Sequence, residues 1–292
     1  MNSVKVGAKL VSETSPTYMI AEIGINHNGD LEIAKKLIDE AVKAGFDAVK
    51  FQKRTVEIVF TPEELARPRE SVFGTTNGDL KFGLEFDHSD FVEIDRHCKK
   101  SGMDWFASPW DNRSLEFLEK FDVVAHKVAS ACLTDKELLK GIRATKKPVF
   151  LSTGMSSLDQ IKTAVGLLNP ETTILMHAVS VYPAKQEQLH LSWIEELKKN
   201  FPSYPIGYSG HEAGVMPSVI AVAKYGAVCV ERHITLDRAM WGSDQSASLE
   251  PEGMERVVKY IRSIPIVSGR GNKHVLSEEV PILEKLRRVK DF

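Results

Sequence analysis

Two histidines, His211 and His233, and two lysines, Lys50 and Lys127, are the residues of this chain best placed to do chemistry. Each histidine follows a short apolar, β-branched run: Ile206–Ser209 leads into His211, and Val228–His233 ends on His233. Two neutral imidazoles converging from neighbouring strand ends can hold a divalent ion, and a catalytic ion also needs positions left open for water and substrate. An arbitrary pair of histidines is more often a pair of hydrogen-bonded rim residues. Here the matched strand positions and the carboxylates nearby favour a metal. With only two or three protein ligands the ion is loosely held. Manganese is the first expectation, with magnesium, cobalt and zinc as the other candidates.

Side chains on a strand alternate faces with period two. Lys50 and Gln52 therefore share a face, as do Glu231 and His233, and Ser209 and His211 if their strand continues. Lys50 and Lys127 then point to one mouth with the hydroxyls of Ser108, Ser152, Ser180 and Ser209. A buried lysine is costly unless it is paired or bound to an anion. Two of them among hydroxyl donors suit a phosphate monoester, and pairing with neighbouring carboxylates is an equal alternative. Lys127 has a further reading as a Schiff-base nucleophile of a pyruvate lyase. Glu22 and Asp244 are the acid/base carboxylates of choice. Glu22 opens a polar, glycine-rich segment running to Asp30, and Asp30 reads as a helix N-cap. Position alone would leave Asp244, in Trp241-Gly242-Ser243-Asp244, as an ordinary turn residue.

These residues need a frame that brings strand ends together. Eight short apolar runs supply it: Tyr18–Ile23, Asp47–Gln52, Met103–Ala107, Val124–Val128, Val149–Ser152, Ile174–His177, Ile206–Ser209 and Val228–His233. Amphipathic stretches alternate with them, including Leu31–Ala44, Asp90–Ser101, Asp135–Ala144, Ser157–Leu168, Leu191–Asn200 and Pro217–Tyr225, and Gly253–Ser263 follows the last run. The alternation predicts an α/β fold, a (β/α)8 TIM barrel whose site lies at the C-terminal ends of the strands. Val4–Val11 reads as a small strand or hairpin before the barrel, covering its bottom. Thr55–His88 reads as a long irregular insertion after the second strand, of the kind that often carries function.

The 292 residues suit one such barrel, and no Gly/Ser/Pro linker divides them, so residues 1–292 are expected to be a single domain. A net charge near -2 makes a nucleic-acid coat or an anionic membrane surface a poor partner. Three cysteines, Cys98, Cys132 and Cys229, lack metal-ligand spacing and fit a reducing cytoplasm better than a disulfide framework. The first residues carry no apolar leader core, and no run approaches the ~20 apolar residues of a membrane span.

Several motifs fall in order along the chain: Ala21-Glu22-Ile23-Gly24-x-Asn26-His27-Asn28-Gly29, Val49-Lys50-Phe51-Gln52, Lys127-Val128-Ala129-Ser130, Leu151-Ser152-Thr153-Gly154-Met155, Tyr182-Pro183, Tyr208-Ser209-Gly210-His211, Glu231-Arg232-His233 and Asp244-x-x-x-Ser248-Leu249-x-Pro251. Together they resemble the sialic acid synthase family, from about Ile20 to Ser248 and more weakly to Arg288. The resemblance implies an enzyme that condenses phosphoenolpyruvate with an N-acetylhexosamine aldehyde to give a nonulosonic acid and phosphate. It implies His211 and His233 as metal ligands. Lys50, Ser108, Lys127, Ser152, Ser180 and Ser209 fall at the phosphoenolpyruvate contacts, and Ser130 is counted with the substrate-binding set. Gln52, Tyr182 and Asp244 fall at the sugar contacts, and Glu22 at the carboxylate that handles the attacking water. Legionaminic, pseudaminic or unacetylated acceptors are the nearest alternatives, and a non-catalytic barrel subunit is a more distant one.

Three departures from the pattern stand out. Ser108 and Ser180 replace a threonine and an asparagine of better-known members, which leaves the chemistry open to hydroxyl donors. Cys132 stands where several members carry an acidic residue, and reads here as a small apolar filler. Many members form a barrel dimer and add an antifreeze-like domain after the barrel. This chain ends soon after Lys285-Leu286-Arg287-Arg288, so either a separate chain is expected to supply that wall, or the Thr55–His88 insertion closes the site, or the substrate differs.

Overall fold

A computed structural model describes residues 2–269 and 271–289. Eight parallel strands close into a barrel in chain order: Tyr18–Gly24, Ala48–Lys53, Asp104–Pro109, His126–Val128, Val149–Ser152, Thr173–Ala178, Ile206–Gly210 and Cys229–His233. The eighth pairs with the first, His233 opposite Glu22, and closes the ring. All eight expected strands are present, most within two residues of the predicted ends.

The barrel interior is filled from alternate strands, as this fold requires. Tyr18, Phe106 and Phe150, from the first, third and fifth strands, stack with ring centroids 6.1 and 5.3 Å apart. The seventh strand contributes Gly207 on the corresponding face, and no side chain fits there. A Cβ on Gly207 would fall 2.2 Å from Cys229 Sγ and 2.6 Å from Met176 Sδ. Ser108, Ser152 and Ser209 each lie two residues beyond Phe106, Phe150 and Gly207, hence on the same face and one layer nearer the mouth.

The helices follow local rules. In Leu31–Ala44 the buried positions Ala34, Leu37, Ile38 and Ala41 form one stripe, Asp30 accepts from the backbone N–H groups of Glu32 and Ile33, and Gly45 ends the helix at φ 85°. Asp30 is thus the cap its sequence suggests. The third strand is followed by a seven-residue helix, Asn112–Leu118, too short to show a period in sequence. The last barrel helix, Pro251–Ser268, is longer than the expected Gly253–Ser263.

The N-terminal hairpin pairs Ser3–Val6 with Lys9–Ser12. Its turn residue Gly7 lies against Asp104 and Val124, and Lys9 binds Asp47 at 2.6 Å, all at the N-terminal ends of barrel strands. The hairpin therefore sits at the bottom, opposite the mouth. Residues Met1–Arg262 form one compact unit, and Ser263–Phe292 form another, which holds the short helix Val280–Leu286.

The expectation of an irregular Thr55–His88 insertion is corrected. The segment holds helices Val56–Val59, Pro62–Leu65 and Asn77–Gly83 and a two-stranded ribbon, Pro68–Ser71 with Gly74–Thr76. These elements are too short for a periodic signal, and local caps hold them: Thr76 and Asp79 form a reciprocal capping box. Glu85 ties the end of the segment to the second strand, meeting Lys53 and Arg54 at 3.1 Å each. Phe73 packs edge-on against Trp241, with centroids 6.3 Å apart, so the insertion walls the mouth as far as the loop after the eighth strand.

Candidate active site

The C-terminal ends of the strands surround a cavity of about 200 Å3 lined by Glu22, Lys50, Gln52, Ser108, Lys127, Ser130, Ser152, Ser180, Tyr182, Ser209, His211 and His233. Asp244 is the one sequence-selected residue outside this lining, and its carboxylate lies 3.8 Å from His233 Nδ1. Glu231, Trp110 and Met155 also face the cavity. Glu231 is the important addition. Its place two residues before His233 marks the face it shares, but its partners lie on strands distant in sequence.

Four buried charges form the floor. Lys50 Nζ lies 2.8 Å from Glu22 Oε2 and 3.6 Å from Glu231 Oε1, and donates to Ser108 Oγ at 3.1 Å. Lys127 Nζ donates to Glu231 Oε2 at 2.7 Å, and Ser209 Oγ donates to Glu231 Oε1 at 3.2 Å. Gln52 Nε2 donates to Glu22 Oε1 at 2.9 Å. Both readings of the lysines thus meet in one arrangement: each has a carboxylate partner, and each faces the cavity among hydroxyls. Burial opposes the charge on Glu231, but Lys127 and Lys50 outweigh it and draw its carboxyl down to about 2. Burial likewise opposes the charge on Lys50, and Glu22 with Glu231 holds it above the usual lysine range.

The serines converge where glycine leaves room. A Cβ on Gly154 would lie 2.5 Å from Ser180 Oγ and 2.7 Å from Ser130 Oγ. Ser180 Oγ is buried and has no protein partner, so a donor is held ready for a bound group. Two lysines and a cradle of hydroxyls suit an anion bearing more than one oxygen.

The histidines stand with ring centroids 5.4 Å apart. Burial and the neighbouring His233 pull His211 down to about 3, so its ring is neutral at physiological pH. Its Nδ1 donates to the Val179 carbonyl at 2.6 Å, which leaves a lone pair on Nε2, where Tyr182 Oη donates at 3.1 Å. His233 Nδ1 is buried and without a hydrogen-bond partner. Among the described residues no three His, Cys, Asp or Glu side chains close into a ready-made cage. Two imidazole lone pairs beside Asp244 and Glu22 nonetheless fit the donor set of a divalent ion with open positions.

A buried brace sets the spacing of the two histidines. Arg232 and Glu212, next to His233 and His211 in sequence, form an ion pair at 2.9 Å behind the barrel wall. Arg232 also donates to Ser218 Oγ at 2.9 Å and to the Gly214 carbonyl at 2.7 Å, and Tyr208 Oη donates to Glu212 Oε2 at 2.8 Å. His177, another polar residue of a strand end, turns outward, binds the Leu189 carbonyl at 2.8 Å and stacks on Tyr208.

Cys132 packs in the apolar layer between barrel and helices with Leu115, Val128 and Leu138, away from the cavity lining. Burial pushes its thiol up to about 12, and pushes those of Cys98 and Cys229 up as well. All three thiols are buried and free. We expect Ellman's reagent to titrate none of them in the native protein at pH 8 and all three in denaturant. Rapid native labelling of Cys132 would contradict the filler role.

Fold and site together define a (β/α)8-barrel enzyme with an anion cradle beside a histidine pair. The NeuB family pattern matches residues 37–273, and the chain belongs to the NeuB family. The chain is 39% identical over 275 residues to the N-acetylneuraminate-9-phosphate synthase of Homo sapiens, covering 93% of this chain and 76% of that one. It is 31% identical to the N,N'-diacetyllegionaminic acid synthase of Legionella pneumophila, over 97% of this chain and 82% of that one. Among solved structures it is similar to an N-acetylneuraminic acid synthetase from Leptospira borgpetersenii, crystallised with citrate, at 30% identity and a TM-score of 0.83, over 99% of this chain and 98% of that one. Among the described residues no helix is long and apolar enough to cross a membrane.

Proposed function

We propose that this enzyme condenses phosphoenolpyruvate with the open-chain aldehyde of an N-acetylhexosamine, giving a nonulosonic acid and inorganic phosphate. The observation that carries the reading is the shared cavity, where Lys50, Lys127 and five serines face His211 and His233. The synthase names of the relatives support it. Lys50 and Lys127, with Ser108, Ser130, Ser152, Ser180 and Ser209, hold the carboxylate and phosphate of phosphoenolpyruvate. Gln52, Tyr182 and Asp244 contact and orient the sugar. A divalent metal on His211 and His233, manganese in the first instance, would supply Lewis-acid polarisation of the aldehyde.

The substrate's C3 attacks the aldehyde carbon, and the alkene electrons become the new carbon–carbon bond. Water then adds at C2, and Glu22 orients that water and takes its proton. The C2–O bond to phosphate breaks, and its electron pair leaves with the phosphate. Lys50 and Lys127 stabilise that departing charge. We expect phosphate release from phosphoenolpyruvate to require an aldose. An 18O label at the bridging oxygen should leave with phosphate; its retention in the sugar acid would rule out this order of bond breaking.

The acceptor is to be fixed by screening N-acetylmannosamine, its 6-phosphate, mannose and diacetamido-hexoses. The human relative's named product carries phosphate at C9. Three carbons gained from phosphoenolpyruvate make that position C6 of the acceptor. The Legionella relative's name favours diacetamido sugars as the second choice. The same reading expects a cytoplasmic enzyme that works as a barrel dimer.

A further inference from the structure

A second cavity, of about 430 Å3, is walled in part by the loop that follows the eighth strand. Asn28, Arg69, Lys81, Trp241 and Ser243 wall it, and the Glu70 carboxylate stands on the same wall. Trp241–Ser243 lead directly into Asp244, whose carboxylate neighbours His233, so one loop links this cavity's wall to the histidine pair.

Lys81 is half-buried on the helix Asn77–Gly83, with its ammonium 4.8 Å from the Phe60 ring centre. It forms no ion pair or hydrogen bond among the described residues. Its charged neighbours make matters worse rather than better. Burial first, and then Arg54 and Arg69, holds the ammonium below the usual lysine range, against the weaker pull of Asp244 and Glu64. Arg54 is already engaged by Glu85, but among the described residues Arg69 makes only a 3.4 Å hydrogen bond to Asn77 Oδ1. Asn28 Oδ1 is buried without a donor. An unpaired cation held among cations is relieved by an anion that reaches it, and an orphaned carbonyl oxygen by a hydroxyl.

We propose that this cavity binds a phosphate monoester on the far end of the acceptor sugar, with Lys81 and Arg69 as its cationic contacts. The inference rests on the synthase reading for its direction: a sugar whose aldehyde end lies at His211 and His233 passes Asp244 and ends at Lys81. Phosphate is favoured over a carboxylate because two cations address one group, and over a neutral acetamido group because a neutral group would leave Lys81 without a counter-charge.

The test is calorimetric titration of the full chain with N-acetylmannosamine and with its 6-phosphate, repeated for Lys81→Met and Arg69→Gln. Methionine keeps the apolar stem against Phe60, and Arg69 is an exposed residue whose replacement spares the fold. The wild type should bind the 6-phosphate at least about tenfold more tightly than the parent sugar. Lys81→Met should erase that gap with the parent sugar's affinity unchanged, and Arg69→Gln should narrow it. In turnover, the loss should appear in KM for the phosphorylated sugar and leave kcat and KM for phosphoenolpyruvate in place. Equal affinity for both sugars, or no binding of either, overturns the proposal. Lys81-dependent binding of the 6-phosphate without phosphate release from phosphoenolpyruvate would leave the anion site standing and overturn the synthase reading.

Discussion

His233→Ala is expected to lower phosphate release by at least about a thousandfold while leaving the thermal transition within a few degrees of wild type. Polarising a carbonyl through a bound cation is worth several kcal/mol, and each 1.36 kcal/mol of barrier is about tenfold in rate. Among the described residues neither ring nitrogen of this imidazole is hydrogen-bonded, Nδ1 being buried without a partner, so its removal breaks no such bond. The barrel ring at this point is closed by the backbone pairing of His233 with Glu22, which alanine preserves. The same assay in EDTA should stop, and should recover on addition of manganese. Calorimetry is expected to show manganese binding by the wild type and none by the variant. Near-normal turnover by the variant, or release that survives EDTA, would sink the role given to the histidine pair.

The largest stability effect should come from Glu231→Gln. Among the described residues Glu231 is the only carboxylate within ion-pair distance of Lys127, and it also faces Lys50. Breaking a buried pair strands the remaining charge at a cost of roughly 3–5 kcal/mol. For a barrel of this size that is a fall in melting temperature on the order of 10 °C. The pH dependence has a definite sign. The Glu231 carboxyl has its folded-state pKa drawn from 4.5 to about 2. Its contribution is therefore complete above the unfolded value and drains away as the pH falls from about 5 towards 2. The glutamine variant should lack that segment of the wild-type stability profile. A variant as stable as wild type at pH 7, with an unchanged acid limb, would show that the lysines do not depend on this carboxylate.

Much of the frame was legible because it is written locally. Apolar, β-branched runs bounded by turns gave the barrel strands, and period two placed Lys50 beside Gln52 and Glu231 beside His233 on common faces. Asp30 and Gly45 bracket the first helix through contacts within three or four residues. What escaped was either too short or too distant. The Asn112–Leu118 helix and the pieces of the insertion have too few turns for a period, and their caps act only once the chain is folded. The partnership of Lys127 with Glu231 spans 104 positions and crosses the barrel, so no spacing rule announces it. Glu231 was visible as a strand-end carboxylate, but not as the centre of the charge balance. Cys132, by contrast, was already read as apolar filling, and its neighbours Leu115 and Leu138, from flanking helices, supply the packing that accommodates it.

The Arg232–Glu212 pair has a bearing on how this barrel could be redesigned. It welds the seventh and eighth strand ends from behind, through contacts among residues outside the cavity lining. The strand ends are thereby braced from a side that the self-capped insert and the Trp241–Ser243 loop do not share. Grafting another insert between Arg54 and Asp87, together with a new Trp241–Ser243 loop, should exchange the accepted sugar while the reactive half keeps its geometry. The barrel divides into a fixed tool and an interchangeable holder, joined at points a graft must keep, among them Phe73 on Trp241, Glu85 on the second strand, Thr55 on Asp111 and Phe86 on His27.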